Sequence, residues 1–260
     1  MRRAALALAL LIGCQASAPP MPGSAGPGSA DPGSEPAAET DPGSELAAER
    51  DPGSEPLAVP AKINARYAEQ TDPTQWAAQF EREGREVHDR RADIIAALEL
   101  APTSVVADVG AGTGLFTLDF ARAVSQGSVV AVDVQPYFLE HISAKAAEAS
   151  LANVRTVLAS QTSVELPPRS TDVVFFCDAF HHVEQPAAYL ASVYAALRPG
   201  GRLVVIDYDR TRPGTKAWMK KHIRADPEAF RAEIETAGFT FSRAVDMLDE
   251  NFFYEFEKPK

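Results

Sequence analysis

The chain has 260 residues, a formal net charge of −11 at pH 7, 45% hydrophobic residues and two cysteines. Such acidity is a poor match for the phosphate contacts that drive nucleic-acid binding, so RNA and DNA are not expected partners. Two cysteines are too few for a disulfide framework.

The first thirteen residues read as an address rather than as fold. Arg2-Arg3 precede an apolar run, Ala4 to Ile12, that is too short to span a bilayer. It closes as Leu11-Ile12-Gly13-Cys14, which resembles the lipobox of a bacterial lipoprotein. The resemblance implies a signal peptide over residues 1–13, lipidation at Cys14, and a membrane anchor in the bacterial cell envelope facing the periplasm or exterior. A cytoplasmic enzyme with a mis-assigned start is the alternative. Within residues 14–60, Asp-Pro-Gly-Ser-Glu recurs at Asp31, Asp41 and Asp51 without an apolar face to stack, which predicts a solvated linker and not a solenoid. About 200 residues remain, 61–260, enough for one domain with a single core.

Trp76, Phe80, Val87, Ile94, Ile95 and Leu98 recur at helical spacing and predict one or two helices over Thr74 to Leu98. Next, Val106-Ala107-Asp108-Val109 runs into Gly110-Ala111-Gly112-Thr113-Gly114 and restarts as Leu115-Phe116-Thr117. This reads as strand, tight turn and helix, the cradle of a nucleotide-like cofactor. A dinucleotide turn wants a small residue where Leu115 stands, and a carboxylate at Asp108 repels a pyrophosphate. S-adenosylmethionine, with an ammonium and a sulfonium and no phosphate, suits the acid better.

The second strand, Ser128 to Val132, ends at Asp133, followed by Val134; this carboxylate can accept both ribose hydroxyls, or cap the helix starting near Gln135. Thr171 to Asp178 reads as a buried strand, followed by Ala179-Phe180-His181-His182. Leu197–Gly201 reads as a helix exit and turn before a strand over Arg202 to Asp207. The last strand candidate is Phe252 to Phe256.

With Asp108–Gly114, Asp133, Cys177-Asp178 plus the His pair, and Leu197–Gly201 in order, residues 67–256 resemble the class I S-adenosylmethionine-dependent methyltransferases, in particular the branch related to quinone and arsenite methyltransferases. That implies an α/β, Rossmann-like doubly wound seven-stranded sheet, mostly parallel with an antiparallel last strand. It also implies a small-molecule or lipid-associated methyl acceptor.

The expected cofactor contacts are Asp108, Gly110, Ala111, Gly112, Thr113, Gly114, Asp133 and Val134. Gln161 and Thr162 join them as neutral acceptors where many relatives place an acid. Asp178, His181 and His182 are the expected catalytic residues, with a histidine removing a proton from a hydroxyl or thiol acceptor. Asp178, His181, His182 and Asp207 mix donors that suit a divalent ion, but their spacing needs a helical turn after the strand, and no metal is expected. Cys177 reads as a small buried hydrophobe. Lys216, Lys220 and Arg224 form a basic stripe if helical, read as a solvated face. The competing readings are an exported module that binds S-adenosylmethionine without turnover and, less favoured, an NAD(P)-dependent oxidoreductase. Oligomeric state stays open.

Overall fold

The computed structural model describes residues 63–260. The expected signal peptide, Cys14 and the linker over 14–60 lie outside those residues.

The described chain opens with α1 (Ala65–Glu69), α2 (Pro73–Phe80), α3 (Glu86–Asp89) and α4 (Arg91–Ala97). Over Thr74 to Leu98 the expected one or two helices are therefore three. Gly84, with φ +80°, takes a left-handed turn and Arg85 is extended, which breaks the helical path that the apolar spacing alone suggests. Asp72 caps α2, its carboxylate accepting from the Thr74 backbone N–H, with Pro73 at the first helical position.

Strands and helices then alternate: β1 (Val105–Val109), α5 (Thr117–Ala123), β2 (Ser128–Asp133), α6 (Pro136–Glu148), β3 (Val154–Leu158), β4 (Thr171–Cys177), a 3₁₀ turn (Phe180–His182), α7 (Pro186–Ala196), β5 (Leu197–Tyr208), α8 (Ala217–His222), α9 (Pro227–Thr236), β6 (Thr240–Ala244) and β7 (Asn251–Glu257). They form one seven-stranded sheet in the order β3-β2-β1-β4-β5-β7-β6, with β7 antiparallel to both of its neighbours. The fold is the expected Rossmann-like, doubly wound α/β sheet.

Both faces of the central strands are covered, which is why they are apolar almost throughout. Alternate residues point to opposite layers. Ala107, Val109, Val174, Phe176, Leu203 and Val205 pack with α7 and α9 through Leu190, Val193, Phe230 and Ile234. Val106, Val129, Phe175, Val204 and Ile206 pack with Ile94, Leu98, Phe116 and Phe120 on the other side. Phe120 stands edge-on to Phe175 with centroids 5.0 Å apart.

Leu197–Gly201, expected as a turn, belongs instead to β5. Leu197 pairs with Thr171, and the register slips before Val173 pairs with Arg202, so Pro-Gly-Gly makes a bulge in the strand and not a loop before it. Chain order reverses between β1, which leads outward through β2, and β4. Ligands of doubly wound sheets sit at such a switch point, outside the strand ends.

Candidate functional site

A cavity of about 550 Å³ opens at that point. Its floor is the loop after β1, one side is Asp133 to Gln135 after β2, and the other is Asp178 to Val183 after β4. Phe80 of α2 and Arg85 close over it.

The glycine loop is held by its own chain. The N–H groups of Gly110 and Ala111 donate to the Val132 carbonyl at 2.8 and 3.2 Å, that of Gly114 donates to Ala111, and that of Gly112 donates to Asp133 Oδ2 at 2.9 Å. Gly110 has φ +70°, and a Cβ there would stand 2.6 Å from Cβ of Ala179, so β4's exit loop can approach only a glycine. Asp108 lies beneath the loop, 4% exposed, accepting from the Thr117 hydroxyl at 2.5 Å. Burial lifts its carboxyl to about 7, against the pull of that hydrogen bond. The hydroxyl of Thr113 is buried beside the cavity without a partner.

Asp133 ties the glycine loop to the chain that enters α6. Oδ1 accepts from the Gln135 N–H at 2.9 Å at the start of α6, and Oδ2 holds Gly112. Asp133 lines the cavity, and a carboxylate oxygen can accept more than one hydrogen bond. Burial raises this carboxyl to about 6. Val134 and Gln161 line the cavity, as does Ser160. Thr162 does not; it is exposed, its N–H turned to the Ser160 hydroxyl, because the loop after β3 folds back on itself.

On the opposite wall Asp178 is not a free base. At φ +50° it accepts from Arg85 Nη2 at 2.6 Å and from Asn251 Nδ2 at 2.5 Å. Burial works against the charge on Arg85, but the carboxylate beside it keeps the guanidinium protonated. Asp178 thus fastens α3 and β7 to the end of β4. Cys177 faces the cavity beside it, and burial pushes its thiol well up, away from thiolate chemistry.

His181 is 2% exposed, with Nδ1 at 2.7 Å from Asp207 Oδ1 and its backbone N–H on Oδ2 at 3.0 Å. Burial drives the imidazole down to about 3 and raises Asp207 to about 7. A neutral ring donating Nδ1–H to Asp207 keeps a lone pair on Nε2. His182 has Nε2 at 3.4 Å from the Tyr67 hydroxyl and a buried Nδ1 without a partner; burial, then its histidine neighbours, hold it neutral. Both histidines line the cavity, their centroids 4.1 Å apart, because the chain tightens into the 3₁₀ turn.

That turn supplies the geometry that the quartet of Asp178, His181, His182 and Asp207 lacked on sequence grounds. The quartet still does not converge, since Asp178 faces Arg85 and Asp207 supports His181. His222 joins the two histidines instead. The expected Lys216, Lys220, Arg224 stripe is also interrupted: α8 ends at His222, and Arg224 is buried in an ion pair with Glu233 at 2.5 Å over the Phe230 ring.

Arg85, Asn251, Thr117 and His222 are site residues that the sequence reading did not assign, and Asp207, read only as a possible metal donor, instead holds His181. Among the aromatic residues, Phe80 and Tyr208 line the cavity, whereas Trp76 and Phe253 are buried at 4% and 1% exposure.

The fold, with its cavity at the switch point, is similar to that of solved S-adenosylmethionine-dependent methyltransferases. Residues 106–201 match the family model described as a methyltransferase domain. Over 107 residues the chain is 32% identical to a ubiquinone/menaquinone biosynthesis C-methyltransferase of Marinomonas sp., covering 40% of this chain and 43% of that protein. The chain spans between a third and just over half of the curated relatives it matches. A structure of an S-adenosylmethionine-dependent methyltransferase from Aquifex aeolicus superimposes with TM-score 0.64 at 22% identity, covering 72% of this chain and 98% of that one. The [4+2]-cyclase SpnF gives TM-score 0.64 at 18% identity, covering 78% and 98%. These structural likenesses establish the fold.

Proposed function

We propose that this domain is an S-adenosylmethionine-dependent methyltransferase acting by in-line displacement on a small or lipid-associated acceptor. The observation that carries the reading is the glycine loop, whose N–H groups at Gly110, Ala111, Gly112 and Gly114 are all engaged by protein acceptors beside the buried acid Asp108. A phosphate cradle needs those donors free. A ligand with an amino-acid tail needs an acid, a hydroxyl donor and an acceptor for ribose, and Asp108, Thr113 and Asp133 offer these.

The cofactor supplies a methyl group activated by its sulfonium. Asp108 takes the ammonium, Thr113 the carboxylate and Asp133 the ribose hydroxyls, while Val134 and Gln161 border the adenine. The acceptor occupies the histidine side of the cavity. There the lone pairs of His181 and His182 meet the hydrogen of an acceptor hydroxyl or thiol, with Asp207 fixing the tautomer of His181. Phe80 and Tyr208 shield the site from water.

Calorimetric titration of the full chain tests the reading. Micromolar affinity for S-adenosylmethionine, no measurable affinity for NADH, and loss of binding in Gly110→Ala are expected; the reverse preference defeats it. Transfer of labelled methyl from the cofactor to a component of cell extract then separates an enzyme from a non-catalytic binding module. The lack of a carboxylate within Ala159–Ser163, directly after β3, favours that second reading. For the chain as a whole, lipid anchoring at Cys14 is part of the proposal. Cys14→Ala is expected to move the protein from the membrane pellet to the soluble fraction, and persistent sedimentation with membranes refutes it.

A further inference from the structure

We propose that His181, His182 and His222 form a binding site for one divalent transition-metal ion of the zinc class on the acceptor side of the cavity. One ring nitrogen of each lies within 4.8 Å of the others. Coordination at about 2.0–2.1 Å from a tetrahedral centre sets such atoms about 3.3 Å apart, so a modest inward rotation of the rings completes the site.

Three features favour an ion over a simple ring cluster. The three side chains come from two separate elements, the 3₁₀ turn and the end of α8, and converge on one point. Asp207 receives Nδ1–H of His181, which is how a carboxylate orients a metal-ligating imidazole and leaves Nε2 to coordinate. His182 keeps a buried ring nitrogen with no hydrogen-bond partner, a vacancy that a metal bond satisfies. The nearby cations are occupied elsewhere: Arg224 is paired with Glu233, and Arg66 lies over the Trp76 ring and donates to Gln79.

Three imidazoles leave coordination positions open to the cavity, the arrangement of a catalytic rather than a structural site. An acceptor oxygen or sulfur bound there would lose its proton to solvent more readily, since a metal lowers the pKa of a coordinated group, and the ion would then take the place of the free His181 and His182 lone pairs in activating the acceptor. Metal binding itself is independent of methyl transfer and is measured without the cofactor.

The test uses the full chain without an affinity tag, stripped with chelator and titrated with Co²⁺ and then Zn²⁺. One equivalent of Co²⁺ is expected, with visible d–d absorption that Zn²⁺ abolishes. His222→Ala should weaken binding at least about tenfold and Asp207→Asn about 10–100-fold, whereas His88→Gln, remote from the cluster, should change nothing. His222→Cys should restore binding and add a thiolate-to-cobalt charge-transfer band, a signature that a merely packed histidine would not yield. If His222→Ala fails to fold, the His222→Cys spectrum decides. No saturable binding in the wild-type chain, equal affinity in a folded His222→Ala, or no charge-transfer band in His222→Cys overturns the proposal. The cofactor titration, run in parallel, separates failure here from failure of the methyltransferase reading.

Discussion

Asp108 is a carboxylate held in an apolar floor, protonated to a substantial extent near neutrality because burial raises its pKa to about 7. A bound ammonium requires the ionised form. Affinity for S-adenosylmethionine is therefore expected to fall about 30-fold between pH 8 and pH 5.5, the penalty of removing one proton from a group of that pKa. Titration across this range checks it, and Asp108→Asn should flatten the profile while weakening binding about tenfold or more. Gly110→Ala acts by contact instead: its Cβ would meet Ala179 at a positive φ, so cofactor binding should be lost with the loop displaced. Asp108, Asp133 and the glycines were legible in the sequence because one short strand-turn-helix segment carries the loop and its carboxylate. The bonding roles of Asp207, Arg85 and Asn251 were not. These residues reach the site from 26, 93 and 73 positions away from the residues they bond, and local spacing says nothing about such pairings.

At the scale of elements, the cavity owes its cover to two clasps. Arg85 bonds Asp178, and the Glu86 carboxylate accepts from the N–H groups of Asp249, Glu250 and Asn251, joining α3 to the approach to β7. Arg85→Met would leave Asp178 buried with only Asn251 as partner. Breaking such a pair costs about 3–5 kcal/mol, so denaturant unfolding should show a loss of that order, and cofactor dissociation should quicken as the cover loosens. The helical period from Trp76 to Leu98 was readable, but its interruption was not, since Gly84 looks the same in a sequence whether it sits inside a helix or ends one. The start of β5 was misread for a related reason. Pro-Gly-Gly is turn chemistry in isolation, and only pairing of Leu197 with Thr171 draws it into the sheet. The count of seven strands and the antiparallel direction of the last came from family likeness, not from the residues themselves.

For the whole molecule, burial raises Asp108 and Asp207 to about 7 and Asp133 to about 6, against about 3.9 in an unfolded chain. Each binds its proton more tightly folded than unfolded. The stability they confer is complete below about pH 4 and is lost as pH rises through 6 to 7. Thermal unfolding of the ligand-free protein should therefore shift downward by at least about 5 °C from pH 5.5 to pH 8. The thermal shift given by S-adenosylmethionine should grow over the same interval, because the ligand binds the form that alkaline conditions favour. A melting temperature that rises toward alkaline pH would contradict the burial of these acids.

The glycine loop also decides what is kept out. Adenosine circulates in cells chiefly as phosphate esters, and any pocket shaped for its base and sugar faces that competition. Here four of the loop's backbone donors, those of Gly110, Ala111, Gly112 and Gly114, are already committed to Val132, Ala111 and Asp133. ATP would have to surrender hydration with few main-chain donors to replace it. Rejection is thus written into main-chain bonding, without a bulky gatekeeper, and a change of side chain alone would not readily convert this pocket into a nucleotide site.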